Sequence, residues 1–395
     1  MTHSEGLPER HGYQFDYSSP ARILFGCGRS AEAATVCYAL GQRILIVTGS
    51  RQRQSAAIAS ALAELGATTA TFSLSKEPTI EDVEEGLAMA KAIQASVVLS
   101  IGGGAAIDLG KAIAAMIPQP EPLITYLEVI GAGRPLDHPS APFIAIPTTA
   151  GTGAEATKNA VITSVTHRTK VSLRHTSMFP TIAIIDPELS LTLPPDVTAA
   201  CGMDALTQLM EAYVTLKAQP MTDALCASAI PIAARALPTA YHNGGDIAAR
   251  EAMAYAALSS GIALANAGLG AVHGFAAPIG GLCHAPHGAV CAALLAPVWA
   301  MNLRLVASSE NAEILQRFVL VAQWLTNDPH AQAKDGVRWL QELSRELQIP
   351  KLRSLGVKAE DLPQISANAA KASSMKGNPV ALSEAQRIEI LEEAL

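Results

Sequence analysis

The first half of the chain alternates short, continuous apolar runs with longer amphipathic stretches. Runs such as residues 43–48 and 96–101 are apolar at nearly every position, which is typical of strands covered on both faces, as in a parallel sheet. Residues 81–94 instead repeat their apolar positions at helical spacing. The pattern predicts strands at 22–26, 43–48, 69–73, 96–101, 142–147 and 181–186, and helices at 31–40, 54–65, 81–94 and 108–116.

The pattern changes after Leu193-Pro194-Pro195. From about Asp196 onward only helical periodicity is found, with many alanines and leucines and few β-branched runs. Strand–helix alternation with short loops predicts an α/β domain with a mostly parallel, doubly wound sheet. We therefore expect an α/β domain at 1–190 and an all-helical C-terminal domain at 191–395.

The composition favours extensive burial. Hydrophobic residues make up 49% of the 395 residues and charged residues only 16%, which argues against a disordered chain. So low a charge density also favours contacts between subunits. The formal net charge is -7 and no basic cluster occurs, so nucleic acid is not expected as a partner.

No targeting or membrane segment is predicted. The N-terminus lacks a basic-then-apolar signal pattern, and charges and prolines interrupt the apolar runs before about 18–20 residues. The six cysteines form no Cys-x-x-Cys pair and are expected to be free thiols in a reducing compartment. The expected location is the cytoplasm, with no membrane contact.

A glycine-rich segment follows the strand predicted at 96–101. Gly102, Gly103 and Gly104 lead into the helix predicted at 108–116. Glycine lets the backbone come close to a ligand, and a helix N-terminus offers free N–H groups to a pyrophosphate. Asp108 is expected either as an N-terminal helix charge or as a hydrogen-bond acceptor for the cofactor, and Lys111 as a solvated helix residue.

A second loop of small residues follows the strand predicted at 142–147. Thr148, Thr149 and Thr152 offer hydroxyl groups beside bare backbone. In open α/β sheets ligands bind outside the carboxyl ends of the strands. Both loops are therefore predicted to bind a nucleotide cofactor, and the alternative for each is a plain tight turn.

Metal-binding side chains stand in otherwise apolar helical sequence. Asp204 and Gln208 are four residues apart and share one helix face. His273, His284 and His287 fall within a segment broken by prolines and glycines. Oxygen and imidazole donors in apolar surroundings are typical of a divalent metal site, although such histidines can also be satisfied core residues.

The sequence resembles the iron-containing (group III) alcohol dehydrogenase family over nearly its whole length. The resemblance is carried, in order, by residues 102–111 (GGGAAIDLGK), 147–155 (PTTAGTGAE), 202–206 (GMDAL) with 211–213 (EAY), His273 and 286–288 (PHG), and Asn378-Pro379. It implies a dehydroquinate synthase-like fold with a cleft between a dinucleotide-binding domain and a helical domain. It also implies hydride transfer between a nicotinamide and a small alcohol or aldehyde, and a homo-oligomer, for which a dimer through the sheet edge is expected.

The resemblance further implies a divalent metal, Fe²⁺ or Zn²⁺, held by one Asp and three His. Asp204, His273 and His287 match three ligand positions, and Lys170 matches a position near the cofactor. The fourth ligand position, usually His, is Gln208, a neutral and weaker donor. The site therefore binds metal weakly, prefers another metal, recruits water or lacks metal.

Two further departures lie near this site. Ala277 stands where the family commonly has a His that relays protons, so His284 is the candidate for that catalytic role. Ala105 replaces a frequent Ser in the glycine loop.

The choice of nicotinamide depends on the end of the strand at 43–48. NAD-preferring relatives often carry an Asp there that accepts from the ribose 2′-OH. Here the residues are Gly49, Ser50 and Arg51, and no acid is present. An Arg could pair with a 2′-phosphate, so the sequence favours NADP(H), or use of both NAD and NADP.

Three other functions stay open at this level. A metal-free reductase of carbonyl acids, like the maleylacetate reductases, would use Gln208 as a substrate contact and Lys170, Arg174 and His175 as polar or cationic groups. A sugar-phosphate cyclase like dehydroquinate synthase shares the fold, but the cleft-region sequences are poor in the Lys and Arg that it needs. A non-catalytic nucleotide-binding relative would have lost its ligands.

Overall fold

The computed structural model describes residues 14–49, 53–167, 169–283, 285–309 and 311–395. The strands are β1 (Arg22–Phe25), β2 (Arg43–Thr48), β3 (Thr68–Ser73), β4 (Val97–Gly102), β5 (Phe143–Pro147), β6 (Asn159–Ser164), β7 (Thr169–Arg174) and β8 (Ile182–Ile185). The helices are α1 (Ala33–Leu40), α2 (Arg53–Glu64), α3 (Ile80–Ala92), α4 (Gly104–Met116), α5 (Leu123–Tyr126), α6 (Pro195–Val214), α7 (Pro220–His242), α8 (Ile247–Ala267), α9 (Ala271–Cys283), α10 (His287–Ala307), α11 (Ala312–Thr326), α12 (Ala333–Glu346), α13 (Leu362–Ala369) and α14 (Glu384–Ala394).

Six strands form one parallel sheet in the order β1-β8-β5-β4-β2-β3. The chain runs from β2 to β3 on one side and then returns to β4 on the other side of β2. This reversal creates a switch point between β2 and β4, where a crevice opens outside the carboxyl ends of the strands. The predicted fold class, a doubly wound parallel α/β domain followed by an all-helical domain, is confirmed.

The connection from β4 to α4 is shorter than the sequence predicted. Gly102 ends β4 and Gly104 begins α4, so Gly103 alone joins them. A Cβ atom at Gly102 would lie 2.7 Å from Ala106 Cβ, so only glycine allows the strand to approach the helix this closely. Because α4 starts at 104 rather than 108, Asp108 lies beyond the first helical turn and is not an N-terminal helix charge.

Lys111 is buried in α4, and the expectation of a solvated residue was wrong. Only 1% of the residue is exposed. Its Nζ donates to Ala154 O at 2.7 Å, Thr157 Oγ1 at 2.9 Å and Asn159 O at 2.8 Å. These bonds satisfy the ammonium group inside the protein and hold the segment after β5 against α4.

An antiparallel hairpin of β6 and β7 was not predicted. Lys170 and Arg174 lie on β7. Polar and apolar residues alternate along residues 170–174 of β7, and that period of two was the signal in the sequence. The hairpin packs through Val171 and Leu173, both buried.

The helical domain is built around α6, which packs against α7, α8 and α10. Fifteen of the twenty residues of α6 are buried. By length and composition α10 could cross a membrane, contrary to the sequence expectation, yet 72% of its most apolar window is buried inside the protein. That burial fits a core helix of the helical domain.

Candidate active site

A cleft lies at the switch point of the sheet. Five predicted cofactor-binding residues line it, namely Gly49, Gly102, Gly103, Thr148 and Thr149. The opposite wall comes from Leu189 and from the start of the helical domain at Leu193, Pro194 and Val197, which sequence reasoning did not single out. The cleft is open to solvent and has a cavity volume of about 250 Å³.

Four other predicted cofactor residues that the structure describes do not line this cleft, namely Gly104, Asp108, Thr152 and Lys170. Thr152 packs against Gly104, where a Cβ atom would lie 2.8 Å from Thr152 Oγ1, and this hydroxyl accepts from Ala154 N at 3.3 Å. Asp108 Oδ2 accepts from Val161 N at 3.0 Å on β6. Both side chains therefore hold neighbouring backbone in position, and a direct contact with cofactor stays a prediction.

Burial changes the titration of the acids beside α4. It raises the pKa of Asp108 to about 6, although Lys111 lowers it. It also raises the pKa of Glu155 to about 7. Burial lowers the pKa of Lys111, against the effect of Asp108.

The basic residues of β7 are paired with acids. Lys170 Nζ lies 3.6 Å from Glu77 Oε2, and a Cβ atom at Gly280 would lie 3.6 Å from the same Nζ. Arg174 Nε lies 3.6 Å from Glu128 Oε1. His175 caps a short 3₁₀ turn by accepting from Ser177 N through Nδ1. Ser50, Arg51 and His284 lie outside the described residues.

Three predicted metal ligands converge in the helical domain. His273 Nε2 lies 3.4 Å from Asp204 Oδ1, and His287 Nε2 lies 3.8 Å from the same oxygen. Asp204 and His273 are buried, whereas 38% of the His287 side chain is exposed, so the group opens on one side. A Cβ atom at Gly288 would lie 2.6 Å from Ala200 O, and glycine there lets α10 begin close against α6.

The fourth predicted ligand, Gln208, hydrogen-bonds a neighbouring helix, and Cys291 lies beside the other three. Gln208 Oε1 accepts from Ser260 Oγ at 2.7 Å. Cys291 Sγ lies 3.8 Å from His273 Nε2 and 3.6 Å from His287 Nε2. One ligand atom from each of Asp204, His273, His287 and Cys291 lies within 4.8 Å of the others. The sequence signal for Cys291 is its position four after His287 on a helix.

The donor set fits a divalent cation. Among the described residues, neither carboxylate oxygen of the buried Asp204 has a hydrogen-bond partner. A buried carboxylate without hydrogen bonds is costly, and a cation bound to it would lower that cost. Carboxylate and imidazole are also ordinary ligands of Zn²⁺ and Fe²⁺.

The pKa shifts in this group have the same electrostatic origin. Burial raises the pKa of Asp204, but His287 and His273 outweigh it and hold the pKa below its ordinary value. Burial lowers the pKa of His273, but Cys291, Asp204 and Glu211 raise it well above its ordinary value. Cys291 and Asp204 raise the pKa of His287 to about 9, against burial. The group thus favours positive charge at its centre.

Two residues behind the site had no role assigned from sequence. Glu211, buried on α6, reaches His273 and the first turn of α9. Asn378 Oδ1 accepts from Ala271 N at 3.1 Å and from Asn302 Nδ2 at 3.0 Å. Both side chains fix the start of α9 and with it the position of His273.

The cleft and the metal-binding group are linked through one contact. Gly151, in the loop that carries Thr148 and Thr149 along the cleft, packs directly on Cys201, because a Cβ atom at Gly151 would lie 2.7 Å from Cys201 Cβ. Cys201 lies three residues before Asp204 on α6, so the two share one side of the helix. The loop after β5 therefore rests on the helix turn that carries Asp204.

A parallel sheet with a cleft at its switch point, joined to helices with a buried Asp–His group, is the arrangement of a class of two-domain oxidoreductases. The chain belongs to the iron-containing alcohol dehydrogenase family, as two family models show. One described as "Iron-containing alcohol dehydrogenase" matches residues 20–187, and one described as "Fe-containing alcohol dehydrogenase family, C-terminal" matches residues 198–395. The protein is an alcohol oxidoreductase of this family.

The chain is similar to its relatives over nearly its whole length. A 1,3-propanediol dehydrogenase of Klebsiella pneumoniae is 35% identical over 375 residues, which cover 92% of this chain and 95% of the relative. An NAD-dependent methanol dehydrogenase of Bacillus methanolicus is 34% identical over 388 residues, covering 95% and 98%. A solved structure of a 1,3-propanediol oxidoreductase superposes with a TM-score of 0.90 at 32% identity, covering 97% of this chain and 100% of that one.

Proposed function

We propose that the protein is an NAD(P)-dependent dehydrogenase that interconverts a small alcohol and its aldehyde or ketone by hydride transfer. The observation that carries the proposal is the buried Asp204 carboxylate, without a hydrogen-bond partner among the described residues and facing two imidazoles. It lies one helical turn from Cys201, on which the loop after β5 packs through Gly151. The proposed metal site and the proposed cofactor site are thus both within reach of one cleft.

Asp204, His273 and His287 would hold a divalent cation, Fe²⁺ or Zn²⁺. When bound, such a cation supplies Lewis-acid stabilisation of the substrate oxygen as it gains alkoxide character. The exposed side of His287 leaves room for a small substrate to enter. Apolar α9 and α10 restrict water around the reacting carbon. His284 stays the predicted proton relay.

The nicotinamide cofactor would lie in the cleft with its pyrophosphate at the N-terminus of α4. Gly102, Gly103 and the first N–H groups of α4 supply the close backbone approach. The residues at 49–51 favour NADP(H) over strict NAD, although the Bacillus methanolicus relative is named NAD-dependent. We keep both as cofactors, with NADP(H) preferred, and we place Lys170 near the cofactor.

The remaining parts of the proposal concern the cellular setting. We propose a cytoplasmic enzyme that acts on a small molecule without nucleic acid or membrane. We further propose a homodimer formed through an edge of the sheet. The division into domains at 190/191 belongs to the same proposal, and it falls in the segment just before α6 begins at Pro195.

A carbonyl-acid substrate would need free cationic groups at the cleft. Lys170 lies near Glu77 and Arg174 lies near Glu128, so both charges have acidic partners. This pairing favours a neutral alcohol or aldehyde over a charged substrate.

The test combines metal content with turnover on one sample. Protein purified without chelator is subjected to elemental analysis, and NADH- and NADPH-dependent reduction of small aldehydes is measured before and after EDTA. We expect near-stoichiometric metal, loss of turnover with EDTA and recovery on adding Fe²⁺ or Zn²⁺. Asp204→Asn should lose both metal and activity, whereas the matched control Asp196→Asn, exposed on the same helix, should keep both. Full turnover without metal would contradict the proposal.

A further inference from the structure

Cys291 is buried among polar donors rather than in a purely aliphatic core. Cys291 is fully buried, and its Sγ faces the Nε2 atoms of His273 and His287 at 3.8 and 3.6 Å. His287 and Cys291 stand one turn apart at the start of α10, so the helix presents both side chains on one face. A thiol in this position has the same neighbours as the Asp204 carboxylate.

The spacing of the four donor atoms is that of a coordination shell. Bonds of about 2.0–2.3 Å at tetrahedral angles separate neighbouring nitrogen, oxygen and sulfur ligands by roughly 3.3–3.8 Å. The four measured separations, from Asp204 Oδ1 or Cys291 Sγ to either imidazole Nε2, run from 3.4 to 3.8 Å. All four atoms lie within 4.8 Å of one another, so small side-chain movements would bring them to one cation.

We propose that the Cys291 thiolate is the fourth protein ligand of the divalent cation, in place of the imidazole that family resemblance implies at position 208. The inference rests on the proposed metal site and specifies its ligand set as Asp204, His273, His287 and Cys291. Gln208 is then a helix-packing residue, since its Oε1 accepts from Ser260 Oγ at 2.7 Å. The sulfur thus compensates for the missing imidazole.

The exchange of ligand changes the chemistry of the centre. Two ionised ligands, one carboxylate and one thiolate, neutralise the charge of a divalent cation, whereas one Asp and three His leave a formal charge of one. Thiolate favours softer ions such as Zn²⁺ and Co²⁺ over Mg²⁺ or Mn²⁺. The Cys291 thiol must lose its proton when the cation binds. A substrate oxygen would complete a five-coordinate centre.

Cobalt substitution tests the ligand directly, without relying on turnover. Chelator-treated protein is titrated with Co²⁺ under anaerobic conditions, and absorbance reports cobalt bound to sulfur through a near-ultraviolet thiolate-to-cobalt charge-transfer band. Cys27, the exposed cysteine, is replaced by Ser in every protein so that it does not bind cobalt. We expect one Co²⁺ per chain with the charge-transfer band.

The variants separate ligation from packing. Cys291→Ser should lose the band and weaken cobalt binding by more than about tenfold, since loss of even an outer-shell partner costs 10–100-fold. Cys226→Ser, a buried thiol on α7, should keep both the band and the affinity. Gln208→His added to Cys291→Ser should restore tight binding without the band, which also guards against a folding defect in the single variant.

The outcomes distinguish this inference from the proposed function. One bound Co²⁺ without the band, and with equal affinity in Cys291→Ser, would overturn the thiolate ligand while leaving the metal site intact. Failure to bind cobalt, together with turnover that resists EDTA, would overturn both. Loss of the band in Cys291→Ser alone, with rescue of affinity by Gln208→His, would establish the ligand set.

Discussion

Glu211 Oε2 lies 2.6 Å from His273 Nδ1, and the other oxygen of the same carboxylate accepts from Val272 N at 2.7 Å. The pair places a proton on Nδ1 and leaves Nε2 of His273 free to face Asp204. A buried carboxylate thus fixes both the tautomer of a metal-binding imidazole and the backbone that carries it. It would act on a bound metal only through His273, so Glu211 is a positioning residue.

Replacing Glu211 should weaken metal binding without removing a ligand. Glu211→Gln keeps an oxygen for Val272 N but loses the negative charge behind His273. We expect the metal dissociation constant to rise by about 10–100-fold. Competition with a chelator of known affinity measures it.

The control for this variant is Glu342→Gln, an exposed change on α12. If Glu211→Gln retains the affinity of the unaltered protein, the carboxylate does not support His273. Partial recovery of turnover at raised metal concentration would support the positioning role, because a general folding defect would not respond to metal.

Replacing Gly103 should weaken cofactor binding without disturbing the fold. Its backbone is extended, with φ of -73°, and a Cβ atom there would lie 3.5 Å from Thr149 Cγ2, an ordinary contact. Gly103→Ala should therefore fold normally but place a methyl group on the cleft wall where a phosphate approaches. We expect cofactor binding to weaken by about tenfold or more, close to 1.4 kcal/mol, as measured by NAD(P)H fluorescence titration.

Gly245→Ala is the matched control, since a Cβ atom there meets Asn243 Oδ1 at 3.6 Å in an exposed loop. Metal content should be unchanged in both variants. Unaltered cofactor affinity in Gly103→Ala would mean that the pyrophosphate binds elsewhere.

Gly49→Asp should move cofactor preference toward NAD. Gly49 follows β2 and lines the cleft, and a Cβ atom there meets no atom within 4 Å. A carboxylate at this strand end can accept from a ribose 2′-OH and repels a 2′-phosphate. We expect the ratio of kcat/KM for NADP to that for NAD to fall by about tenfold or more in initial-rate assays. An unchanged ratio would show that the residue after β2 does not face the adenosine ribose.

Glu155 should make stability depend on pH. Burial raises the pKa of Glu155 from 4.5 to about 7, so the folded protein holds this proton more tightly than the unfolded chain. The stabilisation is complete below about pH 4.5 and is lost as the pH rises to about 7, by at most about 3 kcal/mol. Glu155→Gln removes this dependence.

Melting temperatures of Glu155→Gln and the unaltered protein at pH 5 and pH 8 test the direction of this pH dependence. The variant should gain relative stability at pH 8. Glu84→Gln, an exposed change on α3, should show a difference that does not depend on pH. A relative gain at pH 5 instead would contradict the burial argument.

The sequence was most informative where local pattern and structure coincide. The strand predicted at 43–48 is β2 with the same bounds, because every residue after Arg43 in that run is buried. Asp204, His273 and His287 were identified because charged or imidazole groups in apolar helices are conspicuous. Their convergence needed the packing of α6, α9 and α10.

Other residues could not be assigned from pattern alone. The sequence predicts a solvated Lys111, because its charge is evident from the sequence and its three oxygen acceptors are not. The sequence predicts Cys291 to be a core thiol, because the neighbouring residues in the sequence do not show which carboxylate and imidazoles face it in the fold. The hairpin of β6 and β7 is short and amphipathic, and its polar positions resemble those of a loop.

The packing of the loop after β5 on Cys201 through Gly151 has a thermodynamic consequence for the two proposed ligands of the protein. Cofactor bound in the cleft would order this loop and with it the turn of α6 that carries Asp204, so each ligand would meet a partly prepared site once the other has bound. Linkage then requires reciprocity: the factor by which metal tightens cofactor binding equals the factor by which cofactor tightens metal binding. Bound nicotinamide cofactor would therefore slow the loss of metal to a chelator. In a cell rich in this cofactor, the enzyme would keep its cation at metal concentrations at which the cofactor-free protein loses it.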